Sequence, residues 1–239
     1  MKTILYPAKE RGHVNLGWLD SFHSFSFGQY NDPKKVHFGA LRVVNDDSIA
    51  GGGGFGTHPH DNMEIVTIPL EGKLAHKDST GNEGIISKGD VQIMSAGTGI
   101  RHSEYNASST DYAKLLQIWV FPKQKNIKPA YGQKTFDLND RKNNWQVVVS
   151  PDANENGLNI NQDARFSLLN LEAGKTISYD MKWKDAGLYL FVIDGAVKSE
   201  GQTLANRDAL GISETEKVQV EAVSNAQVLA IEVPLVFKA

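Results

Sequence analysis

The sequence predicts an all-β protein: two antiparallel β-barrels packed together, with a metal site in the amino-terminal barrel only. Three observations carry this. Short apolar runs recur between turn signals along most of the 239 residues, the pattern of all-β barrels. The second half repeats the first in outline. All seven histidines lie at or before His102, so an imidazole site belongs to the first half. Composition narrows the function classes. A net charge of −3 without a basic stripe gives no electrostatic footprint for nucleic acid. With no cysteine there is no disulfide and no thiolate ligand. Met1 to Tyr6 lacks the apolar core of a secretory signal, and no stretch approaches transmembrane length. The expected compartment is the cytoplasm, with no membrane partner.

Residues 1–50 read as short strands and turns. Leu16 to Phe27 mixes aromatics with serine and glycine, which suits a strand with loops. Phe25 and Phe27 share a face there and are expected to pack in the core. Asn31-Asp32-Pro33 marks a turn. Gly39 to Val44 is a buried strand closed by Asn45-Asp46-Asp47.

Residues 51–121 form the body of the first barrel. The glycine run before His58 lets the chain curve past a site or forms a plain loop. Glu64 to Leu70 is a strand whose Pro69 predicts an edge or a bulge. Glu71-Gly72 turns it back into Lys73 to Lys77. His76 on that return is structural or exposed. Ile85 to Met94 carries the Lys88-Gly89-Asp90 turn, and Leu115 to Phe121 is a clean apolar strand. Pro122 to Pro129 is a lysine-bearing connector. It sets the expected domains at 1–128 and 129–239, and a short helix is expected between Pro129 and Asn144. Further on, Leu188 to Ile193 echoes Ile65 to Leu70, Ala209 to Ile212 echoes Val91 to Met94, and Val228 to Val233 echoes Leu115 to Val120.

The chemistry sits between Gly51 and Asn106. Side chains two apart on a strand share a face. His58 and His60 can therefore aim at one point, and so can His102 and Glu104. Two such strands facing each other supply three imidazoles and a carboxylate. That donor set suits a divalent metal with open positions better than a sealed zinc site. Asp61 and Asn106 are candidate acceptors for the outer ring N–H groups.

The spacings match the two cupin motifs. The first, G-x5-H-x-H-x3,4-E-x6-G, fits Gly52, His58 and His60. Counting back from Gly72 puts Ile65, not Glu64, at the glutamate position. Glu64 is then expected behind the ligands or facing outward, and is an alternative base if it reaches the pocket. In the second motif Gly99, His102 and Asn106 keep the spacing, and Glu104 stands between them.

With Arg11-Gly12-His13, the run His23-Ser24-Phe25-Ser26-Phe27, Phe55-Gly56-Thr57-His58-Pro59-His60 and Gly97 to Glu104, the chain resembles the pirin family, most closely its bacterial quercetinase-type members. The resemblance implies a bicupin whose metal ligands are His58, His60, His102 and Glu104. It implies a single divalent ion, Fe(II) first, with zinc, nickel, manganese or copper as alternatives. The activity implied is quercetin 2,3-dioxygenation, the oxidative ring opening of a flavonol by dioxygen to an ester and carbon monoxide. The carboxylate of Glu104, beyond its expected place as ligand, is a candidate acceptor for the hydroxyl proton, a role that competes with ligation. The alternative implied is a non-catalytic, redox-sensing regulator acting through a protein partner.

Overall fold

The computed structural model describes residues 1–237; Lys238 and Ala239, at the end of the expected second domain, lie outside the described residues. The chain is almost entirely β, and every strand pairing in its four sheets is antiparallel. Among the described residues no helix is long and apolar enough to cross a membrane.

The first barrel pairs a seven-stranded sheet with a four-stranded one. The large sheet runs, in spatial order, Ala130–Thr135, Asp90–Ser95, Glu64–Glu71, Ala113–Val120, Leu41–Ile49, Leu19–His23, Gly12–Asn15. The small sheet runs Gly54–His60, Ile100–Asn106, Lys73–Asp78, Glu83–Ser87. The second barrel repeats this plan. Its large sheet is Lys2–Tyr6, Ala209–Ser213, Ala186–Asp194, Ala226–Pro234, Arg165–Leu171, Gln146–Val149, and its small sheet is Thr176–Asp180, Lys217–Ala222, Val197–Ser199, Gln202–Leu204. The three echoes expected from the sequence occupy equivalent places: Glu64–Glu71 matches Ala186–Asp194, Asp90–Ser95 matches Ala209–Ser213, and Ala113–Val120 matches Ala226–Pro234.

The barrels exchange edge strands. Lys2–Tyr6 pairs with Ala209–Ser213 of the second barrel, while Ala130–Thr135 pairs with Asp90–Ser95 of the first. These two pairings cross the division expected at 128 and 129. Each strand covers an edge that would otherwise expose unpaired N–H and C=O groups.

Alternation decides which side chains face where. In Glu64–Glu71, Val66 and Ile68 face the other barrel and join a large core with Phe25, Phe38, Phe166, Phe191, Leu229 and Ile231. Ile65 faces into its own barrel with Met94, Ala96 and Ile100. The register shift between Lys114 and Leu115 lies opposite Pro69, the bulge that the proline predicts. The second barrel is filled by Leu169, Tyr179, Leu188, Leu190, Val218, Val220 and their neighbours. Its interior is largely apolar where the first barrel holds histidines, and it includes a buried carboxylate, Glu232, that accepts from the Tyr179 hydroxyl.

Three expectations change. The strand after Gly39 does not close at Asn45-Asp46-Asp47 but continues to Ile49, because Asn45 and Asp47 point inward and find His23 and Ser21. The region between Pro129 and Asn144 holds the strand Ala130–Thr135 and only a single 3-10 turn, Leu138–Arg141. Phe25 packs in the core, but Phe27 lies beyond the strand Leu19–His23 and lines a cavity instead.

Candidate metal centre

Gly54–His60 and Ile100–Asn106 pair antiparallel with His58 opposite His102, and a bulge follows before Glu104 meets Phe55. A bulge re-aims the side chains beyond it. Gly54 makes the pairing this close: a Cβ there would sit 2.5 Å from the Glu104 carbonyl oxygen.

The three imidazoles of His58, His60 and His102 converge, with one nitrogen from each mutually within 4.8 Å. Their ring centroids lie 4.5–4.9 Å apart. His58 Nδ1 is 2.8 Å from the Gly56 carbonyl, so it carries the proton and leaves Nε2 with a free lone pair. His60 Nε2 and His102 Nε2 face each other at 3.0 Å. Burial, reinforced by the neighbouring His58, pushes His60 down to about 4. Burial, then His58, His60 and His76, pushes His102 down to about 3. Converging imidazole nitrogens, two of them on rings whose burial favours the neutral form, fit a divalent cation, which needs deprotonated ligand atoms. The residues present therefore suit a metal.

Glu104 is fully enclosed in the same cavity. Its Oε2 accepts from Gln117 Nε2 at 2.8 Å, and Thr67 Oγ1 lies 3.5 Å from Oε1. Burial, with the Asp47 carboxylate nearby, raises it to about 7. Glu104 clusters within 4.8 Å of His102 and His76. His76 is buried and already held on both nitrogens, by Asp78 at 3.2 Å and Gln92 at 3.1 Å, so it buttresses the site. A cavity of about 170 Å3 opens onto His58, His60, His102 and Glu104, walled by Phe27, Phe55 and Trp119 and by Asn45, Asp47 and Gln117.

The sequence misplaced two residues, Asn106 and Asp61, while Glu64 faces away from the site as the count from Gly72 predicts and its alternative as a base falls away. Glu64 does not reach this cavity: it faces the other barrel, where its Oε2 accepts from Ser95 Oγ at 2.7 Å and Asn161 N at 3.1 Å. The count from Gly72 was the better guide, because the turn fixes the parity of the strand. Asn106 donates to the Ile49 and Asp111 carbonyls and shapes a loop rather than holding a histidine. Asp61 is exposed, and the acceptor for His58 is the Gly56 carbonyl instead. Thr67 and Gln117 were missed, although each is a lone polar residue inside an apolar strand.

This architecture defines a bicupin with one barrel that gathers histidines and one barrel without any. Residues 6–120 match the family profile Pirin, and residues 147–233 match the Quercetinase C-terminal cupin domain. The chain is 45% identical over 233 residues to quercetin 2,3-dioxygenase of Escherichia coli strain K12, covering 96% of this chain and 98% of that one. It is 39% identical to a pirin-like protein of Caulobacter vibrioides, covering 95% and 97%. The crystal structure of the bacterial pirin YhhW from Escherichia coli in complex with nickel(II) superposes with a TM-score of 0.93 at 42% identity, covering 98% and 100%. The chain belongs to the pirin family, and its site fits a single divalent metal.

Proposed function

We propose that this chain is a metal-dependent dioxygenase that opens the ring of a flavonol such as quercetin, using Fe(II) held by His58, His60, His102 and Glu104 of the 1–128 domain. The observation that carries the reading is the convergence of three imidazoles beside a buried carboxylate in an aromatic cavity. The activity named for the Escherichia coli relative supports it. A bound ferrous ion would supply Lewis acidity toward a hydroxyl and one-electron chemistry toward dioxygen.

The chain's own residues do the rest. Phe27, Phe55 and Trp119 exclude water and offer flat apolar faces to a planar ring system. At about 170 Å3 the cavity is smaller than the roughly 300 Å3 at which ligand pockets usually begin. It admits the oxygen-bearing edge of a flavonol and leaves the remaining rings at its mouth. Gln117 holds the Glu104 carboxyl, and Thr67 holds Gln117 in turn, which places the carboxylate to accept the proton of the 3-hydroxyl. Both oxygen atoms of dioxygen end in the ester product, and one ring carbon leaves as carbon monoxide. The 129–239 domain buttresses the first barrel through the shared core. A chain without cysteine fits the reducing cytoplasm.

The test is to load the purified protein with Fe(II), add quercetin, and follow dioxygen uptake together with carbon monoxide release. Both are expected, and both stop in His102→Ala. Metal retention with no turnover of any flavonol would overturn the catalytic reading in favour of a regulatory one.

A further inference from the structure

A second cavity lies where the barrels meet, and it shares no lining residue with the metal pocket. It measures about 130 Å3. Ile68 to Leu70 and the Lys88-Gly89-Asp90 turn line it from the first barrel; Leu168 to Asn170, Ile193 and Gln227 line it from the second. Arg141, the last residue of the 3-10 turn Leu138–Arg141, completes the wall.

Arg141 is only 9% exposed. Its Nε donates to Gln146 Oε1 at 2.9 Å, but its buried Nη2 has no hydrogen-bond partner. Burial lowers its proton affinity, and no carboxylate offsets that effect. The one carboxylate lining the cavity is committed elsewhere. Asp90 Oδ1 accepts from Thr135 Oγ1 at 2.5 Å, and Oδ2 accepts from the Ser87 backbone N–H at 2.8 Å and Ser87 Oγ at 3.2 Å. Lys88 stands exposed at the rim and adds a second positive charge.

A buried cation without a counter-charge is costly, and folded proteins pair such groups. Guanidinium forks match oxyanions through two parallel N–H donors. The small volume suits a small ion better than a flavonol. We propose that this cavity binds a small oxyanion, an inorganic phosphate or a free carboxylate group, between Arg141 and Lys88. The site joins strands of both barrels, so its ligand would brace their interface. The inference does not depend on the activity proposed above.

Isothermal titration of the metal-loaded protein with inorganic phosphate, and separately with acetate, at constant ionic strength tests it. Saturable binding of one anion per chain is expected. Tighter phosphate identifies a phosphoryl-type ligand, and tighter acetate a carboxylate. Arg141→Gln should weaken binding by about tenfold or more, as expected for a lost charge-assisted fork. Lys88→Gln, at an exposed rim position that folding does not depend on, should weaken it roughly twofold. Selenate soaked into wild-type crystals should give an anomalous peak in the cavity, a readout that needs no variant. No saturable heat with either anion, affinity unchanged in Arg141→Gln, or a cavity without selenate would each overturn the proposal. So would binding that disappears on metal chelation, because that would put the anion at the histidines.

Discussion

Replacing Glu64 with glutamine separates two readings of a buried carboxylate. Glu64 is fully buried between the barrels; Ser95 and the Asn161 N–H serve its Oε2, and Oε1 has no partner. Burial raises its pKa from the ordinary 4.5 to about 7. In the unfolded chain it ionises near the ordinary value, so the folded state binds the extra proton between those limits. The penalty is absent below about pH 4.5, grows as pH rises, and is complete above about pH 7. A displacement of that size corresponds to about 3 kcal/mol. Glutamine mimics the protonated acid and accepts from the same two donors. Glu64→Gln should therefore match wild type near pH 4 and exceed it by up to about 3 kcal/mol at pH 8. For a chain of this length that is about 6–12 °C in Tm. Denaturant titration of the metal-free proteins at both pH values measures it. A difference that does not grow with pH refutes the burial argument. Loss of metal binding in the variant refutes the placement of Glu64 outside the site.

Other consequences follow from the geometry. Gln117→Leu removes the donor that fixes the Glu104 carboxylate and should lower metal affinity by about 10- to 100-fold; a competitive chelator titration reads it, and unchanged affinity would contradict the role. Gly54→Ala places a methyl against the Glu104 backbone oxygen and should cost about 1–3 kcal/mol, with weakened metal retention, measured by thermal melts and metal content. Ile231→Ala, in the core shared by both barrels, should cost about 2–5 kcal/mol while leaving metal stoichiometry intact in the folded fraction.

Much of this was legible in the sequence, for identifiable reasons. His58 with His60 and His102 with Glu104 announce themselves because period-two spacing maps directly onto a strand face. The duplication shows because equivalent strands keep apolar runs and turns in the same order. The edge strand Ala130–Thr135 was hidden: it is half-exposed and reads Ala-Tyr-Gly-Gln-Lys-Thr, without apolar alternation. The docking of Lys2–Tyr6 on Ala209–Ser213 spans some two hundred residues and leaves no local mark. Asn45-Asp46-Asp47 imitated a turn because three polar side chains in a row usually face water; here Asn45 and Asp47 face the barrel interior. Phe27 looked like a core aromatic because residue type alone cannot tell a packed wall from a pocket wall.

The most direct test of the central claim is metal analysis with X-ray absorption spectroscopy on protein purified without added metal. The account predicts one divalent ion per chain, coordinated by three imidazole nitrogens and at least one carboxylate oxygen, with the imidazole signal reduced in His102→Ala. An ion bound with an unaltered imidazole count in His102→Ala, or no stoichiometric metal at all, would contradict it.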